Sequence, residues 1–167
     1  MDITKLLKGI KDCSCGKSHA CPIDYVDIAE GALSRLTAMC GDYNNILIVC
    51  DKNTYAACGK EVAELLGNKA YETLILKDQT DVVIPDETQI DVINAKINDK
   101  TDLIVGVGSG VINDLCKYTS FKANLPYYIV ATAPSMDGYA SVGSALILGG
   151  MKVTLNAKPP KAIIAEP

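Results

Sequence analysis

A regular alternation of short β-branched runs with longer helical patterns, beginning at residue 45, constrains the fold of this sequence more than any other feature. The first run, residues 45–50, is apolar nearly throughout, as a strand buried on both faces should be. Similar runs occupy residues 73–76, 102–105, 127–131 and 162–165. Such alternation is typical of repeated βαβ units. The sequence therefore predicts an α/β fold, a Rossmann-like parallel sheet with helices on both faces.

Glycines at two positions in the sequence predict the ends of further elements. Gly149-Gly150 separates two apolar runs, residues 144–148 and 151–155, which is the pattern of a two-residue β-hairpin. Residues 27–40 have a helical pattern that ends at Gly41. Because glycine adopts the left-handed conformation without steric cost, we expect Gly41 to form the C-cap of that helix.

Length and charge limit the possible functions. A chain of 167 residues predicts one domain spanning residues 1–167, and 16 basic against 20 acidic residues give a net charge of −4. Nucleic acid and anionic membranes are therefore not expected partners. No apolar run reaches the roughly 18 residues that span a bilayer, and no signal peptide is recognisable. We expect a cytoplasmic protein, and its seven cysteines are expected to be reduced thiols.

The segment Gly106-Val107-Gly108-Ser109-Gly110 lies where a buried strand turns into a helix. Small residues there let backbone amides approach a phosphate, to which the helix N-terminus adds partial positive charge. The segment is not a P-loop, and it does not follow the first strand as the ordinary dinucleotide fingerprint does. Instead the acidic residue Asp51 ends the first strand of the series. Tight packing is the alternative role for these glycines, and both readings stay open.

Residues 108–117, Gly-Ser-Gly-Val-Ile-Asn-Asp-Leu-Cys-Lys, resemble the Gly-Gly-Gly-x-x-x-Asp-x-x-Lys signature of iron-containing alcohol dehydrogenases, glycerol dehydrogenase and dehydroquinate synthase. Residues 132–141, together with 13–16 and 31–36, are similar to the bacterial sn-glycerol-1-phosphate dehydrogenases. The resemblance implies the N-terminal, dehydroquinate synthase-like nucleotide-binding domain of such an enzyme, and NAD(P)-dependent reduction of dihydroxyacetone phosphate to sn-glycerol 1-phosphate. A glycerol dehydrogenase, a dehydroquinate-synthase-like enzyme and a stand-alone nucleotide-binding module remain alternatives.

The resemblance also implies site residues. The backbone from Gly108 to Ile112 would hold the pyrophosphate, and Asp51 would bind the adenosine ribose. A carboxylate there favours NAD over NADP, although Lys52 beside it softens the preference. The complete set of expected cofactor-binding residues is Asp51, Gly108, Ser109, Gly110, Val111, Ile112, Thr132, Ala133, Pro134, Ser135 and Ser141, of which those from Thr132 onward line the nicotinamide end.

The same resemblance makes Asp137 a ligand of the polyol phosphate substrate; the alternative is that it organises a turn with Gly138. Ser109 departs from the family signature, where glycine is usual, so the loop requires a negative φ at this residue. Asp114 and Lys117 lie three residues apart on one helix face, where they are expected to form a surface ion pair or to contact the cofactor directly.

Family members hold a divalent metal, zinc, nickel or iron, with one Asp and two His in a helical C-terminal domain. His19 is the single histidine of this chain, and the sequence stops at Pro167 directly after a strand. We therefore expect neither catalytic residues nor ligands for that metal in this chain, which is expected to be an inactive part of a longer, homo-oligomeric enzyme.

Four potential zinc ligands, Cys13, Cys15, His19 and Cys21, cluster near the N-terminus. Thiolates and imidazole suit zinc, but structural zinc sites usually join two ligand pairs across a longer loop, and these four fall within nine residues. We therefore expect an irregular loop with no bound metal, and the zinc site is the alternative.

Overall fold

The computed structural model describes residues 3–77, 82–134, 136 and 138–167. Six strands form one sheet in the order β1-β8-β5-β4-β2-β3, and every neighbouring pair is parallel. Two further strands, β6 and β7, form an antiparallel hairpin. The strands are β1 Tyr25–Ile28, β2 Ile46–Asp51, β3 Ala70–Leu76, β4 Leu103–Gly108, β5 Tyr127–Ala131, β6 Gly143–Leu148, β7 Met151–Asn156 and β8 Ala162–Ala165.

Helices connect the strands and cover both faces of the sheet. The α-helices are α1 Ile3–Leu7, α2 Leu36–Met39, α3 Lys52–Thr54, α4 Lys60–Leu66, α5 Glu87–Asn94 and α6 Gly110–Lys122. A π-helical turn, Tyr55–Gly59, joins α3 to α4, and short 3₁₀ turns occupy Leu33–Arg35, Gly67–Lys69 and Gly138–Ala140. This architecture confirms the predicted α/β class.

Alternate residues of each strand enter two separate cores. In β2, Leu47 and Val49 pack toward α5, α6 and the hairpin, whereas Ile46, Ile48 and Cys50 pack toward α2 and α4. All five side chains are fully buried. Burial on both faces explains why residues 45–50 read as an unbroken apolar run.

The hairpin lies over α6 instead of extending the sheet. Ile147 donates its amide to Pro85 O at 2.8 Å, and Ser144 Oγ donates to Asp114 O at 2.7 Å. Gly149 and Gly150 both have positive φ, +58° and +77°, which confirms the predicted two-residue turn. Helix α6 is therefore enclosed between the sheet and the hairpin.

The expected helix over residues 27–40 is wrong in its first half. Residues 25–28 form β1, which pairs with β8 in the register Tyr25 to Ala162. Helical structure is confined to residues 33–39. A partner strand far away in the sequence overrides the local helical pattern.

The expected role of Gly41 is also wrong, because Gly41 is not among the residues with positive φ. The ammonium of Lys69 donates to Cys40 O, Gly41 O and Tyr43 O at 3.1, 3.0 and 2.8 Å. A lysine thus satisfies the carbonyls at the end of α2, and no left-handed glycine is needed.

Strand order defines a crevice at one edge of the sheet. The chain leaves β2 for β3 on one side and then crosses to β4 on the other side of β2. In open parallel sheets, ligands bind at such a switch point, outside the carboxyl ends of the strands. Here those ends are Asp51 of β2 and Gly108 of β4, and Val49 lies opposite Gly106 two residues before them.

Candidate nucleotide-binding site

The glycine loop places three backbone amides at the N-terminus of α6. Ser109 is the N-cap with φ −99°, so the negative φ that serine requires is confirmed. The first hydrogen bond of the helix runs from Asn113 N to Ser109 O at 2.9 Å. Within the described residues, the amides of Gly110, Val111 and Ile112 therefore have no protein acceptor. Three converging N–H groups on a helix N-terminus form a site for an anion.

Two glycines of the loop serve close packing as well. A Cβ on Gly108 would lie 2.6 Å from Cβ of Ile112, and one on Gly106 would lie 2.9 Å from Sγ of Cys116. Helix α6 therefore sits directly against the backbone of β4. Gly110 is only half-buried and lines a cleft of about 310 Å³. The packing alternative holds for Gly106 and Gly108, whereas Gly110 and Val111 at the start of α6 stay partly exposed.

Asp51 lies at one end of the crevice and caps the helix that follows β2. Its Oδ1 accepts from Asn53 N at 2.8 Å and Thr54 N at 2.9 Å, and its own amide donates to Thr54 Oγ1 at 3.0 Å. Oδ2 makes no hydrogen bond with the described residues and remains available to a ligand. The adjacent cleft of about 390 Å³ is lined by Asp51, Lys52, Tyr55, Ile75, Leu76, Lys77 and Val83.

A larger cleft, about 590 Å³, opens on the other side of the glycine loop. The loop after β5 contributes Thr132, Ala133, Pro134, Met136 and Tyr139 to its lining, and the ends of β1 and β8 contribute Ile28, Ile163, Ala165, Glu166 and Pro167. Thr132 N donates to Gly108 O at 3.2 Å, which ties this lining to the glycine loop. Three of the expected nicotinamide-side residues, Thr132, Ala133 and Pro134, are thus brought together.

Tyr139 also lines this cleft, although the sequence analysis did not include it among the expected site residues. Its hydroxyl donates to Ala133 O at 2.9 Å and lies 3.4 Å from Gly108 O. Burial raises the pKa of the phenol, so the neutral donor form is maintained. Tyr139 could have been identified from the sequence, because it belongs to the segment 132–141 that carries the family resemblance.

The ion pair expected between Asp114 and Lys117 is present, but the expectation that it lies on the surface is wrong. Lys117 is fully buried, and its ammonium donates to Gly138 O at 3.0 Å, Gly143 O at 2.9 Å and Ser141 Oγ at 3.2 Å. Asp114 Oδ1 is 3.7 Å away. Burial lowers the pKa of Lys117, against the opposing charge of Asp114. Lys117 therefore fastens the loop of residues 138–143 to α6.

The sequence also predicted roles for Ser135, Asp137 and Ser141. The hydroxyl of Ser141 is committed to the loop, because it lies 2.9 Å from Gly138 O and 3.2 Å from Gly143 O and accepts from Lys117. Ser135 and Asp137 lie outside the described residues. Their expected roles in cofactor and substrate binding stay predictions.

The 390 Å³ cleft, the glycine loop and the 590 Å³ cleft lie in a row along one edge of the sheet. The 390 Å³ cleft lies at β2 and β3 and the 590 Å³ cleft at β5 and β8, with the end of β4 between them. Three strand spacings separate the centres of the clefts, a distance of about 14 Å. An extended molecule with an anionic middle and a ring system at each end fits this arrangement.

The described residues contain one cluster of three potential metal ligands, Cys13, Cys15 and His19. It contains no second histidine, so these residues do not fit the Asp-and-two-His site of the family metal. Within the same residues, none of the helices has the length and apolar character that a membrane crossing requires.

Known proteins share the fold of this chain. The family model for iron-containing alcohol dehydrogenase matches residues 27–167. Among solved structures, glycerol dehydrogenase from Schizosaccharomyces pombe superposes with a TM-score of 0.74 at 21% identity, covering 86% of this chain and 37% of that one. Sulfoacetaldehyde reductase from Bifidobacterium kashiwanohense, solved with NAD⁺, gives 0.76 at 14% identity, covering 88% and 45%. At these identities the structures establish the shared fold.

Curated relatives are closer in sequence. The glycerol-1-phosphate dehydrogenase [NAD(P)+] of Geobacillus stearothermophilus is 34% identical over 162 residues, 93% of this chain and 40% of the relative. The corresponding protein of Methanosarcina mazei is 31% identical over 146 residues, 83% of this chain and 39% of the relative. The chain thus spans about 40% of the length of such relatives. Family model, relatives and fold agree, and the chain belongs to the iron-containing alcohol dehydrogenase family.

Proposed function

We propose that this chain is the NAD(P)-binding part of an sn-glycerol-1-phosphate dehydrogenase, which reduces dihydroxyacetone phosphate to sn-glycerol 1-phosphate. The observation that carries the proposal is the set of three amides at the start of α6 that have no acceptor among the described residues, between two clefts at the switch point of the sheet. The names of the relatives, which share 34% and 31% identity with this chain, support the choice of substrate.

In this proposal the pyrophosphate accepts hydrogen bonds from the amides of residues 110–112. Asp51 Oδ2 accepts from the ribose, while Oδ1 remains bonded to the helix that it caps. The nicotinamide lies in the 590 Å³ cleft, where Tyr139 supports the wall on which the ring rests. Asp137 is proposed to bind a hydroxyl of the polyol phosphate.

The cofactor, when bound, supplies the hydride. The protein's contribution from this chain is to hold the cofactor in one orientation and to shield one side of the ring from water. The divalent metal that polarises the substrate oxygen in this family has no matching ligand set among the described residues. We propose that its ligands come from a further, helical domain.

The amide site can be tested by removing one N–H group. Val111 occupies the first turn of α6, where proline is tolerated because the amide has no acceptor within the helix. Val111→Pro is expected to weaken NADH binding about tenfold or more, the worth of one charge-assisted hydrogen bond of roughly 1.5–3 kcal/mol. Val111→Ala removes the same side chain but keeps the amide, and is the matched control.

NADH affinity would be measured by fluorescence or calorimetric titration of the 167-residue chain, which requires no turnover. Equal affinities for the proline and alanine variants would refute the amide site. Asp51→Asn keeps an effective helix cap and removes the charge. It is therefore expected to bring the affinities for NADH and NADPH closer together without a change in thermal stability.

A further inference from the structure

The N-terminal segment contains an ordered loop that the proposed function does not use. Ile10 and His19 form an antiparallel bridge, with Ile10 N donating to His19 O at 2.8 Å and His19 N donating to Ile10 O at 2.7 Å. Between them Gly16 N donates to Cys13 O at 2.9 Å, and Gly16 has φ +76°. The segment from residue 10 to residue 19 is therefore a closed loop with a tight turn at its tip, here called the knuckle loop.

The neck of the knuckle loop is a close backbone contact. Gly9 has φ +71°, and a Cβ on it would lie 2.4 Å from the carbonyl oxygen of His19. Only glycine fits this position, for reasons of both conformation and space. The chain thus approaches itself closely enough to fix where His19 stands relative to the turn at Cys13.

Apolar packing does not account for this order. Residues 11–20 are exposed, apart from Cys13, which is half-buried. The residues that anchor the segment to the core lie outside the loop; Leu7 and Cys21 pack against the core on the α6 face. A ten-residue exposed loop without a core of its own needs another source of stabilisation.

Three potential zinc-ligand atoms of the knuckle loop lie close together. The sulfurs of Cys13 and Cys15 and a ring nitrogen of His19 all lie within 4.8 Å of one another, and Cys15 Sγ is 3.1 Å from His19 Nε2. Ligand atoms around a tetrahedral zinc ion are about 3.5 Å apart, given metal–ligand distances of about 2.0–2.3 Å. The three atoms are close to that spacing before any metal is added.

We propose that Cys13, Cys15 and His19 bind one Zn²⁺ ion, with the fourth coordination position open to water. Two thiolates and an imidazole are the ligand chemistry that zinc prefers, and binding releases the two thiol protons to solvent. The spacing argument against zinc assumed two ligand pairs on separate turns. Here a single turn and a two-hydrogen-bond bridge bring the ligands together instead.

The zinc site is separate from the proposed nucleotide site. The knuckle loop precedes the amino end of β1, whereas the glycine loop and both clefts lie at the carboxyl ends of the strands. Its role is to cross-link an exposed loop. Metal content and NADH affinity are thus distinct measurements, and either proposal can fail without the other.

The test begins with protein purified under reducing conditions, without added zinc and without a metal-binding tag. Elemental analysis is expected to find about one zinc per chain. Cys13→Ser, Cys15→Ser and His19→Gln are each expected to lose it, while Cys58→Ser, a half-buried thiol in the π-helical turn, retains it. Cys21→Ser is also expected to retain zinc, because the Cys21 thiol lies outside the cluster.

Cobalt titration of the metal-free chain gives a second readout. Intense visible bands and a thiolate charge-transfer band are expected in the parent chain, and both are lost in Cys15→Ser. Circular dichroism checks that each variant remains folded. A parent chain that takes up neither zinc nor cobalt, or a His19→Gln variant that retains stoichiometric zinc, would overturn the proposal. Zinc lost equally from Cys21→Ser would refute the three-ligand site.

Discussion

Replacement of Lys117 by methionine is expected to destabilise the fold substantially while preserving the shape of the side chain. The ammonium makes three hydrogen bonds to oxygens of the 138–143 loop from a fully buried position. Each bond to a charged group contributes roughly 1.5–3 kcal/mol. Methionine also removes the cost of burying the charge, and water or Ser141 can satisfy part of the loop, so the net loss is about 3 kcal/mol.

For a chain of this size, 1 kcal/mol corresponds to roughly 2–4 °C, so the melting temperature of Lys117→Met is expected to fall by about 6–12 °C. Lys122→Met, at the exposed end of the same helix, removes the same charge and serves as the control. Thermal unfolding followed by circular dichroism measures both variants, and hydrogen exchange should show faster opening of residues 138–143. A shift no larger than that of the control would refute the role given to the buried ammonium.

Two further predictions concern packing and pH. Gly108→Ala is expected to cost about 1–3 kcal/mol in calorimetric unfolding, because the new Cβ meets the branch point of Ile112 at 2.6 Å. Gly110→Ala should cost less, since its nearest neighbour is the flexible end of Met136. The carboxylate of Glu166 accepts from two backbone amides, which lowers its pKa from 4.5. A carboxyl with a lowered folded pKa contributes stability above its unfolded pKa and loses it as pH falls. The stability difference between the parent and Glu166→Gln should therefore shrink below about pH 4.5 in acid-unfolding curves, and a difference independent of pH would count against this contact.

Most of the sheet was predictable from local patterns because its central strands are buried on both faces. The runs at residues 45–50 and 127–131 are apolar for this reason, and both became strands in the sheet. The hairpin was predictable because two glycines with positive φ are a specific turn signal. Strand β1 was not predictable, because its four residues are exposed or only half-buried and its structure depends on pairing with the distant strand β8.

The site was predictable to a similar extent. The positions of Asp51 and the glycine loop could be predicted because each lies at the end of a predicted strand. The structure places both at the same crevice. The surface location expected for Lys117 was wrong, because its spacing to Asp114 describes one helix alone. The hairpin that covers this helix face is a tertiary contact, and no local pattern encodes it. The three ligands of the knuckle loop likewise depend on a backbone bridge between Ile10 and His19.

The position of β8 has a consequence for the order in which the chain can fold. Strand β8 is inserted between β5 and β1, and β1 has no other neighbour in the sheet. Although β1 is the first strand of the sheet to be synthesised, it is the last that can pair, because its partner consists of residues 162–165. Truncation of the chain before residue 162 would remove β8 and leave β1 without a partner, so that the sheet would lose both β8 and β1.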